Sequence, residues 1–151
     1  MLPNFKPVAA VVIISGVALG GEAGFLVGAV TGLVSNVFFG QGPWTPWQMF
    51  AYGIIGFLAG VLFHRRARRS RIALCVYGAL AALLVYGLVM DSSMVFMYQT
   101  DLNLGMFLFA WLNGLPFNLI HAAATAFFLF VTSGAMLEKL DRIRIKYGFN
   151  P

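Results

Sequence analysis

Ser35 to Gly60 reads SNVFFGQGPWTPWQMFAYGIIGFLAG, two apolar runs joined by a short connection from Gly40 to Trp47. That connection holds two Gly, two Pro and two Trp beside Gln41, and no charge. Solvated loops favour charged residues, whereas Trp suits a place where its ring lies in apolar surroundings while its N–H meets water or a ligand. Pro43 and Pro46 fix φ, and Gly40 and Gly42 permit positive φ and close backbone approach, so the stretch predicts an ordered cap at a membrane face.

The flanking composition places that cap on an integral membrane protein. Of 151 residues, 60% are hydrophobic and 10% charged, and the mean hydropathy is +0.85, far from the balance of a water-soluble domain. Several runs reach the roughly 20 apolar residues that a bilayer crossing needs, which a cleaved leader cannot explain. The fold class expected is all-α, a polytopic transmembrane helix bundle of about five spans near residues 8–20, 22–39, 48–63, 72–90 and 105–137, forming one domain.

Residues 8 to 39 form an apolar run of 32 with Glu22 as its one charge. One helix of that length would measure about 48 Å against a core of about 30 Å, so two helices broken near Gly20 to Glu22 are expected, with Glu22 at the positive end of the second. Gly16, Gly20, Gly24, Gly28 and Gly32 recur at every fourth position, and Gly56 and Gly60 repeat the spacing further on. Such spacing lets membrane helices approach closely.

Nine of the ten basic residues fall in two clusters, Arg65 to Arg71 and Lys139 to Lys146. Clusters beside apolar helices are the positive-inside signal rather than a nucleic-acid face. They orient the chain with the loop 64–71 and the C-terminal tail in the cytoplasm. The Trp/Pro connection and the stretch DSSMVFMYQTDLN, from Asp91 to Asn103, then lie outside. Counting back gives five helices with the N-terminus outside, and an odd count from an outside start suggests a helix missing relative to kin.

In the last apolar run, Pro116 is expected to kink the helix or end a preceding segment. Asn118 and His121 lie within about 60° of each other on a helix and can face one cavity. The candidate substrate-binding residues are Asn36, Gln41, Trp44, Trp47, Gln48, Tyr98, Asn118 and His121, whose rings offer stacking surface and whose amides and imidazole offer directional hydrogen bonds. The chain carries no HExxH, no GxSxG, no intramembrane carboxylate pair and a single cysteine, Cys75. No enzyme, metal site or cofactor is expected from such residues.

Residues 4 to 60, the loop GQGPWTPWQM at 40–49 above all, resemble the membrane-embedded substrate-binding subunit (S component) of energy-coupling factor transporters, and LNGLPFNLIHAAATAFFLF at 112–130 extends the resemblance over nearly the whole chain. It implies six helices in the family, here without the first. It implies capture of a vitamin or related micronutrient, a cobalamin-like compound among the candidates, from outside a prokaryotic cell membrane. It also implies dependence on a transmembrane coupling subunit and two cytoplasmic ATPase subunits. A structural or assembly subunit without a ligand is the other reading that the residues leave open.

Overall fold

The structure, a computed structural model, describes residues 5–65, 69–100 and 102–148. Residues 2–4, Arg66 and Arg68 of the basic loop, and Asp101 of the second outer connection lie outside the described residues. Among the described residues five helices follow one another: α1 (Val8–Leu19), α2 (Gly21–Phe39), α3 (Thr45–Phe63), α4 (Arg71–Tyr98) and α5 (Leu104–Lys146). The fold is all-α, and the last four helices are long and apolar enough to cross a membrane.

The long N-terminal run is divided at Gly20, whose φ of 100° is a conformation that side chains with a Cβ avoid. Gly20 nevertheless keeps both backbone groups paired, donating to the Gly16 carbonyl at 2.8 Å and accepting from Gly24 N–H at 2.9 Å. Glu22 stands exposed in the first turn of α2. With 12 residues, α1 is about 18 Å long, well short of a bilayer core of about 30 Å. Its Ala9, Val12, Ile13, Ile14 and Val17 are completely buried. A helix apolar on every side belongs in an interior, and α1 packs among α2, α3 and α5.

Glycine decides how closely these helices meet. A Cβ on Gly56 would run into the Gly24 carbonyl and come within 2.9 Å of Val12 Cγ1. A Cβ on Gly16 or Gly24 would strike the Gly56 carbonyl in turn, and one on Gly28 the Tyr52 carbonyl. Gly24, Gly28 and Gly32 thus form one buried ridge of α2 against α3, with Gly16 reaching the same seam from α1. The opposite face of α2 exposes Leu26, Val30, Val34 and Val37, as a lipid-facing surface requires.

Helix α4 contains a π-helical segment, Ala81–Tyr86, and continues to Tyr98. The connection expected from Asp91 onward is therefore helical for two further turns, and only the short link from Gln99 to Asn103 joins α4 to α5. The polar residues at its start are paired inside the helix pair instead. Across the α4–α5 interface Asn118 Nδ2 donates to Asp91 Oδ2 at 2.7 Å and Trp111 Nε1 donates to Ser92 Oγ at 3.0 Å, and within α4 Ser93 Oγ donates to the Met90 carbonyl at 2.6 Å. Asn103 caps α5, accepting from Met106 N–H at 3.0 Å. The helix then runs through Pro116 without ending, for 43 residues or about 65 Å.

At the opposite end, Arg69 gathers three helix termini. Its guanidinium donates to both carboxylate oxygens of Asp141, at 3.0 and 2.8 Å. It also donates to the carbonyls of Val17 at 3.1 Å, His64 at 2.9 Å and Phe63 at 3.4 Å. Those carbonyls close α1 and α3, where unsatisfied acceptors and the negative end of the helix dipole favour a cation. Arg144 adds a bond to the Ala18 carbonyl at 3.3 Å. The molecule therefore has an arginine end and a tryptophan end.

Candidate binding cleft at the tryptophan end

The α2–α3 loop is organised by Thr45. Its hydroxyl donates to Gln41 Oε1 at 2.9 Å and accepts from Asn36 Nδ2 at 3.1 Å and Gly42 N–H at 3.3 Å. Gln41 Nε2 reaches back to the Leu33 carbonyl at 3.4 Å. Gly40, at φ 114°, turns the chain out of α2, and Pro46 stands in the first turn of α3, where a missing N–H costs no helical bond. The Trp44 ring lies directly over Gly42, in space that a Cβ there would occupy. The loop holds its shape by these contacts, and they consume the side chain of Gln41.

Below the loop lies a cleft of about 320 Å³. Asn36 from α2, Trp44 and Gln48 from the loop and α3, Tyr86 and Met90 from α4, and Lys6 line it. Gln48 Nε2 donates to the Tyr86 hydroxyl at 2.7 Å. Among the described residues, its Oε1 is buried without a hydrogen-bond partner. Tyr86 ends the π segment, and a wider turn changes the direction in which the next side chains leave the helix. Its ring rests 4.6 Å from His121 and 4.9 Å from Tyr52, centroid to centroid, which makes a layer of buried rings beneath the cleft. Lys6 Nζ sits 3.6 Å from the centre of the Phe39 ring, a cation–π contact at the rim.

Of the eight residues singled out in the sequence, Asn36, Trp44 and Gln48 converge on this cleft, and His121 lies behind it against Tyr86. The other four are placed elsewhere. Gln41 is bound within its own loop, and Trp47 stacks parallel on Phe96 at 5.8 Å. Asn118 serves Asp91, and Tyr98 lines a second cavity of about 690 Å³ between the end of α4 and the start of α5. Lys6 and Tyr86 were not foreseen. Tyr86, like Tyr77, sets a phenol in an otherwise apolar stretch, the one sequence signal for it, and Lys6 is the single Lys or Arg away from the two clusters. Among the described residues no group of three or more His, Cys, Asp or Glu side chains is placed to hold a metal.

The described residues thus form an all-helical membrane bundle with a ring-lined, amide-bearing cleft at one end, the kind of concave site that small molecules occupy. The family model described as "ECF-type riboflavin transporter, S component" matches residues 2–136. The chain belongs to that family, which is a component of a transporter and not an enzyme. No curated protein and no solved structure matches it.

Proposed function

We propose that this chain is the substrate-capture subunit of an energy-coupling factor transporter and that its ligand is riboflavin or a close flavin. The convergence of Asn36, Trp44 and Gln48 on one cleft carries the reading, with the riboflavin-type family as its support. A flavin ring is flat and displays carbonyls and an N–H along one edge. Trp44 and Tyr86 offer flat surface to its faces, Asn36 and Lys6 offer donors to its carbonyls, and the buried Oε1 of Gln48 offers an acceptor to its N–H. The expectation of a cobalamin-like ligand finds no support in the family.

Ring stacking contributes on the order of 1 kcal/mol beyond the area it buries. Trp44→Ala should therefore weaken riboflavin binding by about tenfold or more, since each 1.4 kcal/mol is one decade. Trp47→Ala, which loses a stack on Phe96 outside the cleft lining, should weaken it by less than about threefold. Flavin fluorescence titrations of the purified protein, with mass spectrometry of co-purifying molecules, check both. Failure of the parent to bind flavin, or equal affinity in Trp44→Ala, defeats the reading.

In the same reading the tryptophan end faces outside a prokaryotic cell, and the arginine end faces the cytoplasm, where a coupling subunit and two ATPases would act. Ser70 is exposed at the start of α4 beside the basic loop. In a Cys75→Ala background, Ser70→Cys should resist a membrane-impermeant thiol reagent in intact cells and react after lysis. Labelling of intact cells would reverse the orientation.

A further inference from the structure

Helix α4 begins at Arg71, while α5 runs on past that level to Lys146. Nearer the middle of the bundle the two helices are joined, with Cys75 Sγ donating to the Ala126 carbonyl at 3.4 Å and Gly78 lying against Leu129. Beyond Gly134 α4 no longer accompanies α5, and a groove of about 430 Å³ opens along α5 as far as Ile145. Its apolar floor is Leu137 and Ile145, and its charged groups answer one another, Arg69 with Asp141 and Arg142 with Glu138. Arg71 stands at the head of this groove against Gly134, where a Cβ would come within 2.8 Å of Arg71 Nη2. Among the described residues Arg71 has neither a carboxylate partner nor a hydrogen-bond acceptor, and its exposed guanidinium has the Phe130 ring as its contact, at 5.5 Å to the centroid.

We propose that Arg71 and the groove beside it hold an anionic phospholipid. Arg71 is the first residue of a helix long enough to span the membrane, so its guanidinium lies where hydrocarbon gives way to water, the level of lipid phosphates. A planar fork of N–H donors matches a phosphate in pairs of parallel hydrogen bonds. On the membrane side of Arg71 both helices turn apolar side chains outward, Ile72 and Val76 from α4 and Phe127 and Val131 from α5, and acyl chains lie along them. On the other side Gly134 leaves the way open for the rest of the headgroup to enter the groove. A choline headgroup would bring its own cation toward Arg71 and Arg142 and toward Lys139 and Lys146 on the last turns of α5, whereas a glycerol headgroup adds no positive charge. The site lies at the arginine end and does not depend on the ligand of the cleft at the tryptophan end.

The test is native mass spectrometry of the purified full chain in detergent, with equal amounts of phosphatidylglycerol and phosphatidylcholine of the same acyl chains. The parent should retain phosphatidylglycerol in preference by about fivefold or more, the scale of one basic residue acting on an anionic lipid. Arg71→Gln, at an exposed position, should lower that preference to about twofold or less. Gly134→Leu sets a side chain where the guanidinium lies and should do the same without removing a charge. Arg65→Gln takes the same charge from the same end, also at an exposed position, and should keep the preference of the parent. Phosphatidylglycerol should also raise the thermal midpoint of the parent, and inorganic phosphate should not. Equal retention of the two lipids by the parent, or a preference untouched by Arg71→Gln, overturns the site. An equal loss in Arg65→Gln overturns it too, since the basic end would then attract anionic lipid without a defined seat. An equal thermal rise with inorganic phosphate would assign Arg71 to the free ion and overturn the lipid.

Discussion

Gly56→Val should destabilise the protein by about 3 kcal/mol or more, a larger effect than any single change in the cleft. The new side chain has nowhere to go, because the groups in its path are the Gly24 backbone carbonyl and the packed Val12, not the end of a mobile side chain. Relief requires α2 and α3 to separate along their length. Separation opens the contacts of Gly28 with Tyr52 and of Gly60 with Gly21 and loosens α1, which shares the seam through Gly16. In a bilayer, water does not drive helices together, so the packing lost with that separation is much of what held them. Thermal unfolding in detergent, with size-exclusion profiles, reads the result. Leu26→Ala on the exposed face of α2, where the residue is 64% exposed, is the control and should change stability by less than about 0.5 kcal/mol. A Gly56→Val protein as stable as the parent would mean that the α2–α3 seam is not tight.

Arg69→Gln should come second, at about 3 kcal/mol or more, within the range for breaking a buried pair by removing one partner. The side chains of Arg69 and Asp141 are only 9% and 18% exposed, so solvent screens the loss little. The substitution removes both Arg69 donors from the Asp141 carboxylate and withdraws donors from the last carbonyls of α1 and α3 together. Arg69→Lys should recover less than half of the loss, since one ammonium cannot reproduce a fork that serves a carboxylate and three carbonyls. The double variant Arg69→Met with Asp141→Leu should be milder than Arg69→Gln, because it removes both members of the pair together. If the single and double variants unfold alike, the ion pair is not what holds this end.

Class and outline were readable in the sequence wherever one local property suffices. The hydropathy of the runs identified a helical membrane bundle, and Gly20-Gly21-Glu22 marked the division of an overlong run because glycine and a helix-start carboxylate act locally. The end of α4 was misplaced for the opposite reason. Asp91 and Ser92 look like a loop in one dimension, and only the partners Asn118 and Trp111, 27 and 19 residues away, show that they are satisfied inside a helix pair. The candidate site divided along the same line. Asn36, Trp44 and Gln48 meet at one cleft because the loop brings near neighbours together, whereas Tyr86 is aimed by a π segment that leaves no mark in hydropathy, and Lys6 arrives through the docking of α1.

That docking bears on how the protein is made. A helix of 12 residues cannot remain in a bilayer as an independent crossing, and the surfaces that bury it belong to α2, α3 and α5. The last of these reaches it through Phe127 and Phe128, which meet Phe5, and through Arg144, which meets the end of α1. Helix α1 is thus completed only by α5, whose Arg144 lies 126 residues beyond Ala18, and must wait in a provisional position while the longer helices insert. Membrane insertion and the completion of the core are consequently separate events: a nascent protein halted before α5 would be threaded through the bilayer yet still lack the side of the core that Leu129 and Leu137 supply.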